Sequence, residues 1–127
     1  MQEVVIRNVT RPLSRPLTAG YCESFLCRLR GLMMRTELPP NWGLLLVGGR
    51  ESRLDAAIHM LFMRVNLAIV WLDRDKRVVD VRPAYRWRSV LLPRSPAQYI
   101  LELAVDWLGE FEIGDQIQIE RPAPSPV

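Results

Sequence analysis

The run Leu67-Ala68-Ile69-Val70-Trp71-Leu72 is the feature that most restricts how this chain can fold. Six consecutive apolar residues leave no face for water. Side chains alternate between the two faces of a strand, so this run fits a strand covered on both sides. It is far shorter than the ~20 apolar residues of a membrane-spanning helix, and no segment of the chain approaches that length. The remaining residues therefore have to supply strands on its edges and layers on both its faces.

Just upstream stand His59, the single histidine, and Arg64, an arginine set among apolar residues. Leu54–Met60 and Met63–Leu72 read as central strands with a bend near Leu61-Phe62. Asp73-Arg74-Asp75-Lys76 is a turn by composition, and Arg77–Arg82 is the return strand of a hairpin. Many such turns carry glycine where Lys76 stands. A left-handed backbone there would cost a non-glycine residue roughly 1 kcal/mol.

Short strands are expected at Val4–Val9, Leu13–Tyr21, Leu44–Val47, Tyr99–Val105 and Gln116–Glu120. Pro16 points to an edge position or a strand start for the second of these. Between Cys22 and Met34 the period changes: Phe25, Leu26, Leu29, Leu32 and Met33 recur at helical spacing. Ser24 or Cys22 precedes the helix, and serine is a good cap there. Gly31 either ends the helix in a left-handed cap or admits a close neighbour. Leu38–Gly43 is proline and glycine punctuation. Gly48–Arg53 reads as a charged, flexible loop placed where a lid or rim could be, Pro83–Pro96 as an extended excursion, and Trp107–Glu110 as a helical turn. Arg121–Val127 is proline-rich and expected to be a disordered tail. Together these predict a mainly β fold: a single-domain β-sandwich or partly closed β-barrel with one short α-helix near the N-terminal third. A chain of 127 residues is expected to build this around one sizeable core.

Charge says less. The net charge is +3, and of 17 Lys and Arg residues only Lys76 is lysine. Arginine suits bidentate contact with carboxylate or phosphate, although genome composition explains such a bias more simply. Cys22 and Cys27 would lie roughly 140° apart on one helix. They are therefore expected as reduced, mostly buried thiols in a cytoplasmic protein. With one histidine they make no four-ligand zinc set, so neither metal nor cofactor is expected. The N-terminus lacks the apolar core of a signal peptide.

Five residues stand out as a candidate site. A neutral His59 imidazole beside the Arg64 guanidinium could bind an anion or a carbonyl oxygen, provided a bend near Leu61 brings both to one pocket. The ordinary reading is a histidine hydrogen-bonded in the core and an arginine paired with Glu102 or Asp73. Arg28 and Arg35 flank the Gly31 turn and could clamp a carboxylate or phosphate, or equally tie the helix to the sheet. Glu102 stands between Leu101 and Leu103. Facing inward it must be paired, with Arg28, Arg35 or Arg64 as the expected partner; the other reading turns it to solvent. It could act as a general acid or base only if a pocket raised its pKa. Tyr85 and Trp87 alternate with Arg82, Arg86, Arg88 and Arg94, a pattern that suits single-stranded nucleic acid, but the small net charge and near absence of lysine weigh against it. No Gly-x-Ser-x-Gly elbow or glycine-rich phosphate loop is present.

Arg28-Leu29-Arg30-Gly31-Leu32-Met33-Met34-Arg35 resembles the R-x-x-G-L-M-x-R signature of the DUF192 (UPF0127) family. Ile58-His59-Met60-Leu61-Phe62-Met63-Arg64 resembles its I-H-x-x-F-M-R variant. Leu72-Asp73 with Val78-Val79, Tyr99–Leu103 and Ile113-Gly114-Asp115 follow in the family's order. The resemblance implies one compact mainly β domain over residues 1–120, followed by the tail 121–127, and no settled biochemical function. Departures occur after Arg64, where an acid usual in the family is absent around Asn66-Leu67-Ala68. They also occur after Leu103, where Ala104, Val105 and Asp106 stand, and at Gly43-Leu44-Leu45-Leu46. The expectation is a cytoplasmic, non-enzymatic domain, monomeric or weakly dimeric, with no membrane partner. It would bind a small polar or anionic ligand, or a protein segment, through Arg28, Arg35, His59, Arg64 and Glu102. The rival readings are a small hydrolase or isomerase using His59 or Glu102, and an RNA-associated module using residues 82–94.

Overall fold

The computed structural model describes residues 2–33, 35–60, 62–87 and 90–121, apart from the side chains of Phe25 and Leu29. Strand β4 (Leu67–Leu72) is buried at all six positions. Its composition demanded cover on every side, and β5 (Val78–Ala84) and β6 (Ala97–Ala104) pair antiparallel along its two edges. Beyond β6 the sheet continues through β3 (Trp42–Ser52), β2 (Leu17–Cys22), β1 (Glu3–Asn8) and β7 (Ile117–Glu120). All pairings are antiparallel except that of β2 with β3. The connection between those parallel strands carries the short helix α1 (Phe25–Arg30).

The sheet curls until its two ends meet. Arg77, just before β5, bridges Gln116, just before β7. The amide of Ile117 donates to the Lys76 carbonyl at 2.9 Å and that of Val78 to the Asp115 carbonyl at 2.9 Å. The result is a seven-stranded, curled half-barrel, in line with the expected mainly β, partly closed architecture. Alternation along the strands divides the core in two. One cluster holds Ile6, Leu45, Val70, Leu101, Leu103 and Trp107. The other, on the opposite face, holds Leu44, Leu46, Ile69, Trp71, Ile100, Met60 and Met63.

Several boundaries differ from the expectation. Strand β3 runs to Ser52 and absorbs all of the predicted Gly48–Arg53 loop but Arg53. Gly48 permits this, since a Cβ there would lie 2.9 Å from the Gln98 carbonyl oxygen of β6. Leu54–Met60 is not a strand: only Ile58 forms an isolated bridge, to Leu91. Both edges of β4 are already taken, so this segment covers a face instead, burying Ala56, Ile58 and Met60. The final helical turn, Val105–Glu110, is a 3₁₀ helix that buries Trp107, whose indole N–H donates to the Pro40 carbonyl at 3.0 Å. Lys76 does adopt a left-handed backbone, with φ 64°. Ser24 caps α1 by accepting from the Cys27 amide at 3.1 Å. Pro122–Val127, most of the predicted tail, lies outside the described residues.

The cysteines correct the thiol reading. Cys22 and Cys27 form a disulfide, with Cα atoms 5.7 Å apart. The rotation argument assumed one helix for both. Cys22 instead closes β2 and Cys27 lies in α1, so the turn at Glu23-Ser24 brings them together.

Candidate functional site

Glu102 lies on β6, opposite Leu44 of β3 and Ile69 of β4. Its parity places it with Ile100 on the face of the second cluster, so a carboxyl group enters an apolar layer and is only 5 % exposed. Burial pushes its pKa from 4.5 to about 7. Directly over it sits the turn that ends α1. Gly31 there has φ 49°, and a Cβ built on it would lie 3.1 Å from Glu102 Oε1. The glycine thus lets the helix end rest on the carboxyl.

Between this turn, β3, β6 and the 55–63 segment lies a cavity of about 70 Å³, walled by Arg28, Leu46, His59, Met63, Ile100 and Glu102. Exposed Arg30 and Arg50 also line it and place its mouth at solvent. Arg50 is neutralised by Asp55 at 2.8 Å. Glu102 Oε1 and Arg28 Nε are both buried without a hydrogen-bond partner among the described residues. A larger groove of about 560 Å³ beside β1 holds no buried ionisable group.

The cavity gathers three of the five residues selected from the sequence: Arg28, His59 and Glu102. It does not gather Arg35 or Arg64. Arg35 is exposed and stacks on Trp42, with its guanidinium carbon 4.9 Å from the ring centroid. Arg64 is exposed as well, because Met60 and Met63 take the buried positions on either side of a left-handed Phe62. The expected ion pair of Glu102 with Arg28, Arg35 or Arg64 is accordingly absent among the described residues. Two buried carboxylates do find arginine: Asp115, 3.8 Å from Arg11, and Asp80, 3.1 Å from Arg82 and 3.9 Å from Arg94. Arg82 and Arg94 are two of the cations that the nucleic-acid reading required. Sequence reasoning missed Arg30, Arg50 and Met63 as wall residues. Only the sheet register and the path of the 55–63 segment bring them there.

No group of three or more His, Cys, Asp or Glu side chains converges as a metal set among the described residues. Among the described residues no helix is long and apolar enough to cross a membrane.

The chain is similar to UPF0127 proteins of Thermococcus and Pyrococcus species. It is 40 % identical over 113 residues to one from Thermococcus sibiricus, covering 83 % of this chain and 71 % of that protein. It is 40 % identical over 97 residues to one from Thermococcus kodakarensis, covering 75 % of this chain and 60 % of that protein. With a third, from Pyrococcus furiosus, identity is 32 % over 116 residues, 90 % of this chain and 97 % of the relative. The chain thus spans from three-fifths to nearly all of the relatives' lengths. Among solved structures, a Novosphingobium aromaticivorans protein of unknown function superposes with a TM-score of 0.75 at 21 % identity, covering 91 % of this chain and 83 % of that one. That likeness establishes the fold alone. The model of the DUF192 family, described as "Uncharacterized ACR, COG1430", matches residues 6–119, and this chain belongs to that family.

Proposed function

We propose that this domain binds a small anionic ligand, a carboxylate or the carboxylate end of a larger molecule, in the cavity between α1 and β6. The observation that carries the reading is the pair of buried polar atoms, Arg28 Nε and Glu102 Oε1, that lack hydrogen-bond partners among the described residues while their side chains line one cavity. An orphaned buried donor costs about 1–3 kcal/mol, more when charged, so a ligand that satisfies it recovers that cost. Near neutral pH much of the Glu102 population is protonated, since burial raises its pKa to about 7. A carboxylate oxygen can then accept from the Arg28 Nε–H while another accepts from the Glu102 O–H. The wall charges favour an anion: Arg50 is offset by Asp55, which leaves Arg28 and Arg30 against one titrating carboxyl. About 70 Å³ is room for on the order of five water-sized groups, so the bound moiety is a few heavy atoms.

The experiment is a thermal-shift series at pH 6 with acetate, glycolate, succinate and phosphate on the wild type, Arg28→Ala and Glu102→Gln. A ligand present at 100 times its Kd should stabilise the fold by about 2.7 kcal/mol, a rise of several degrees in Tm. Arg28→Ala should weaken binding at least roughly ten-fold, the value of one hydrogen bond to a charged group. Unchanged melting with every anion, or full binding by Arg28→Ala, would overturn the proposal.

A further inference from the structure

We propose that the exposed face built from Phe62, Tyr85 and Trp87 docks onto an anionic lipid membrane. Three non-glycine residues among those described have positive φ, and two of them are Phe62 at 63° and Trp87 at 62°. Holding bulky side chains in left-handed backbone carries a conformational cost. Burial does not offset it, because Phe62 remains 50 % and Trp87 58 % exposed. The two turns act instead to display the rings, which meet edge to face with centroids 5.6 Å apart.

The display rests on a fixed base. The Trp87 amide donates to the Met60 carbonyl at 3.1 Å, and the Arg86 amide donates to Asn66 Oδ1 at 3.0 Å. Ile58 and Leu91 exchange two backbone hydrogen bonds, and Met60 and Met63 anchor the layer in the core. Leu91 packs against the core, so its neighbours Val90 and Leu92 point outward and are exposed. Tyr85 is exposed too.

Charge complementarity selects the occupant. Residues 56–72 and 81–101 contain no Asp or Glu; of their arginines, Arg82 and Arg94 face Asp80, which leaves Arg64 and Arg86 among the described residues. Arg64 and Arg86 are exposed and form no ion pair among the described residues. Exposed aromatic rings, exposed Val90 and Leu92 on either side of the Leu91 bridge, and Arg64 and Arg86 close to the rings in the chain match the headgroup and upper acyl region of an anionic bilayer. Single-stranded nucleic acid fits less well. The Phe62 and Trp87 planes stand at 70°, so they offer no parallel faces for successive bases, and Val90 and Leu92 have no face to stack.

The test is co-sedimentation with phosphatidylcholine vesicles, with and without phosphatidylglycerol, at low and high salt. Phe62→Gly/Trp87→Gly is the informative variant, because glycine accepts the left-handed backbone and both rings are exposed, so folding is preserved. The wild type should bind the phosphatidylglycerol vesicles, release them as salt rises, and ignore phosphatidylcholine alone. The glycine pair should lose at least about ten-fold in affinity, and Arg64→Gln/Arg86→Gln about five-fold per arginine. Trp87 fluorescence should shift to the blue on binding. The proposal is overturned by no binding at low salt, by equal binding to neutral vesicles, or by wild-type binding in the glycine pair. It is likewise overturned if an oligothymidine competes the protein off the vesicles, or if the face pairs two copies of the chain and vesicles leave the pair intact.

Discussion

Glu102→Gln separates a buried, unpaired carboxyl from a paired one. In the folded chain the group titrates at about 7 against 4.5 for the exposed group. Below pH 4.5 it is protonated in both states and costs little. Between pH 4.5 and 7 the unfolded chain releases this proton while the folded chain keeps it. The unfolded state then binds fewer protons, so stability falls as pH rises through this window. At 1.36 kcal/mol per tenfold difference in proton affinity, the full loss is about 3 kcal/mol, complete just above pH 7. Glutamine cannot ionise and should remove this slope, leaving the variant relatively more stable at pH 8 than at pH 5. Other groups titrate in the same range, so the difference between the two proteins isolates the carboxyl. Glu110 and Glu112, whose pKa values are lowered by the Ser14 amide and by Arg11 respectively, act below pH 4.5 and leave the window clear. The assay is guanidinium unfolding at pH 5, 6, 7 and 8 in ligand-free buffer, followed by the emission of buried Trp71 and Trp107. Identical pH profiles for wild type and variant would refute the reasoning, since they would mean that Glu102 is ionised and compensated in the fold.

Gly31→Ala should cost about 2 kcal/mol, because its φ of 49° strains an L residue and the new methyl would meet Glu102 Oε1 at 3.1 Å; chemical denaturation reads this, and a neutral result would place the carboxyl elsewhere. Cys22→Ser/Cys27→Ser should lose about 2 kcal/mol, the loop-closure value for so short a crosslink, and dithiothreitol should lower the Tm of the wild type but not of the double variant. No response of the wild type to reductant would contradict the bridge.

Much of the fold was legible in the chain. Leu67–Leu72 dictates a strand with two covered edges and two covered faces, because six apolar side chains in a row have no other use. The Asp73–Lys76 turn was readable from local chemistry: the Asp73 carboxylate accepts from the Asp75 and Arg77 amides at 2.9 and 3.0 Å. Ser24 as a cap and Gly31 as a point of close approach were readable for the same reason, since each acts on atoms only a few residues away or needs only the absence of a side chain.

The site was half legible. Sequence picks out Glu102 as a carboxylate among leucines, but a lone acid on a strand says nothing about which cation reaches it. Arg28, Arg35 and Arg64 were its credible partners, and Arg82 and Arg94 were assigned to a nucleic-acid surface; they differ only in where the chain carries them. Arg82 and Arg94 meet Asp80, Arg35 lies over Trp42, Arg64 points to solvent, and Arg28 enters the cavity without closing an ion pair. Likewise the cysteine spacing suggested separation until the β2–α1 turn folded it back on itself. Local interactions are written in neighbouring residues, so the chain by itself determined its central strand, its turns and its caps. The unpaired carboxyl and the cavity depend on the register of β6 between β3 and β4 and on one left-handed residue at Phe62. Those are set by packing across the whole sheet, and only the tertiary structure decided them.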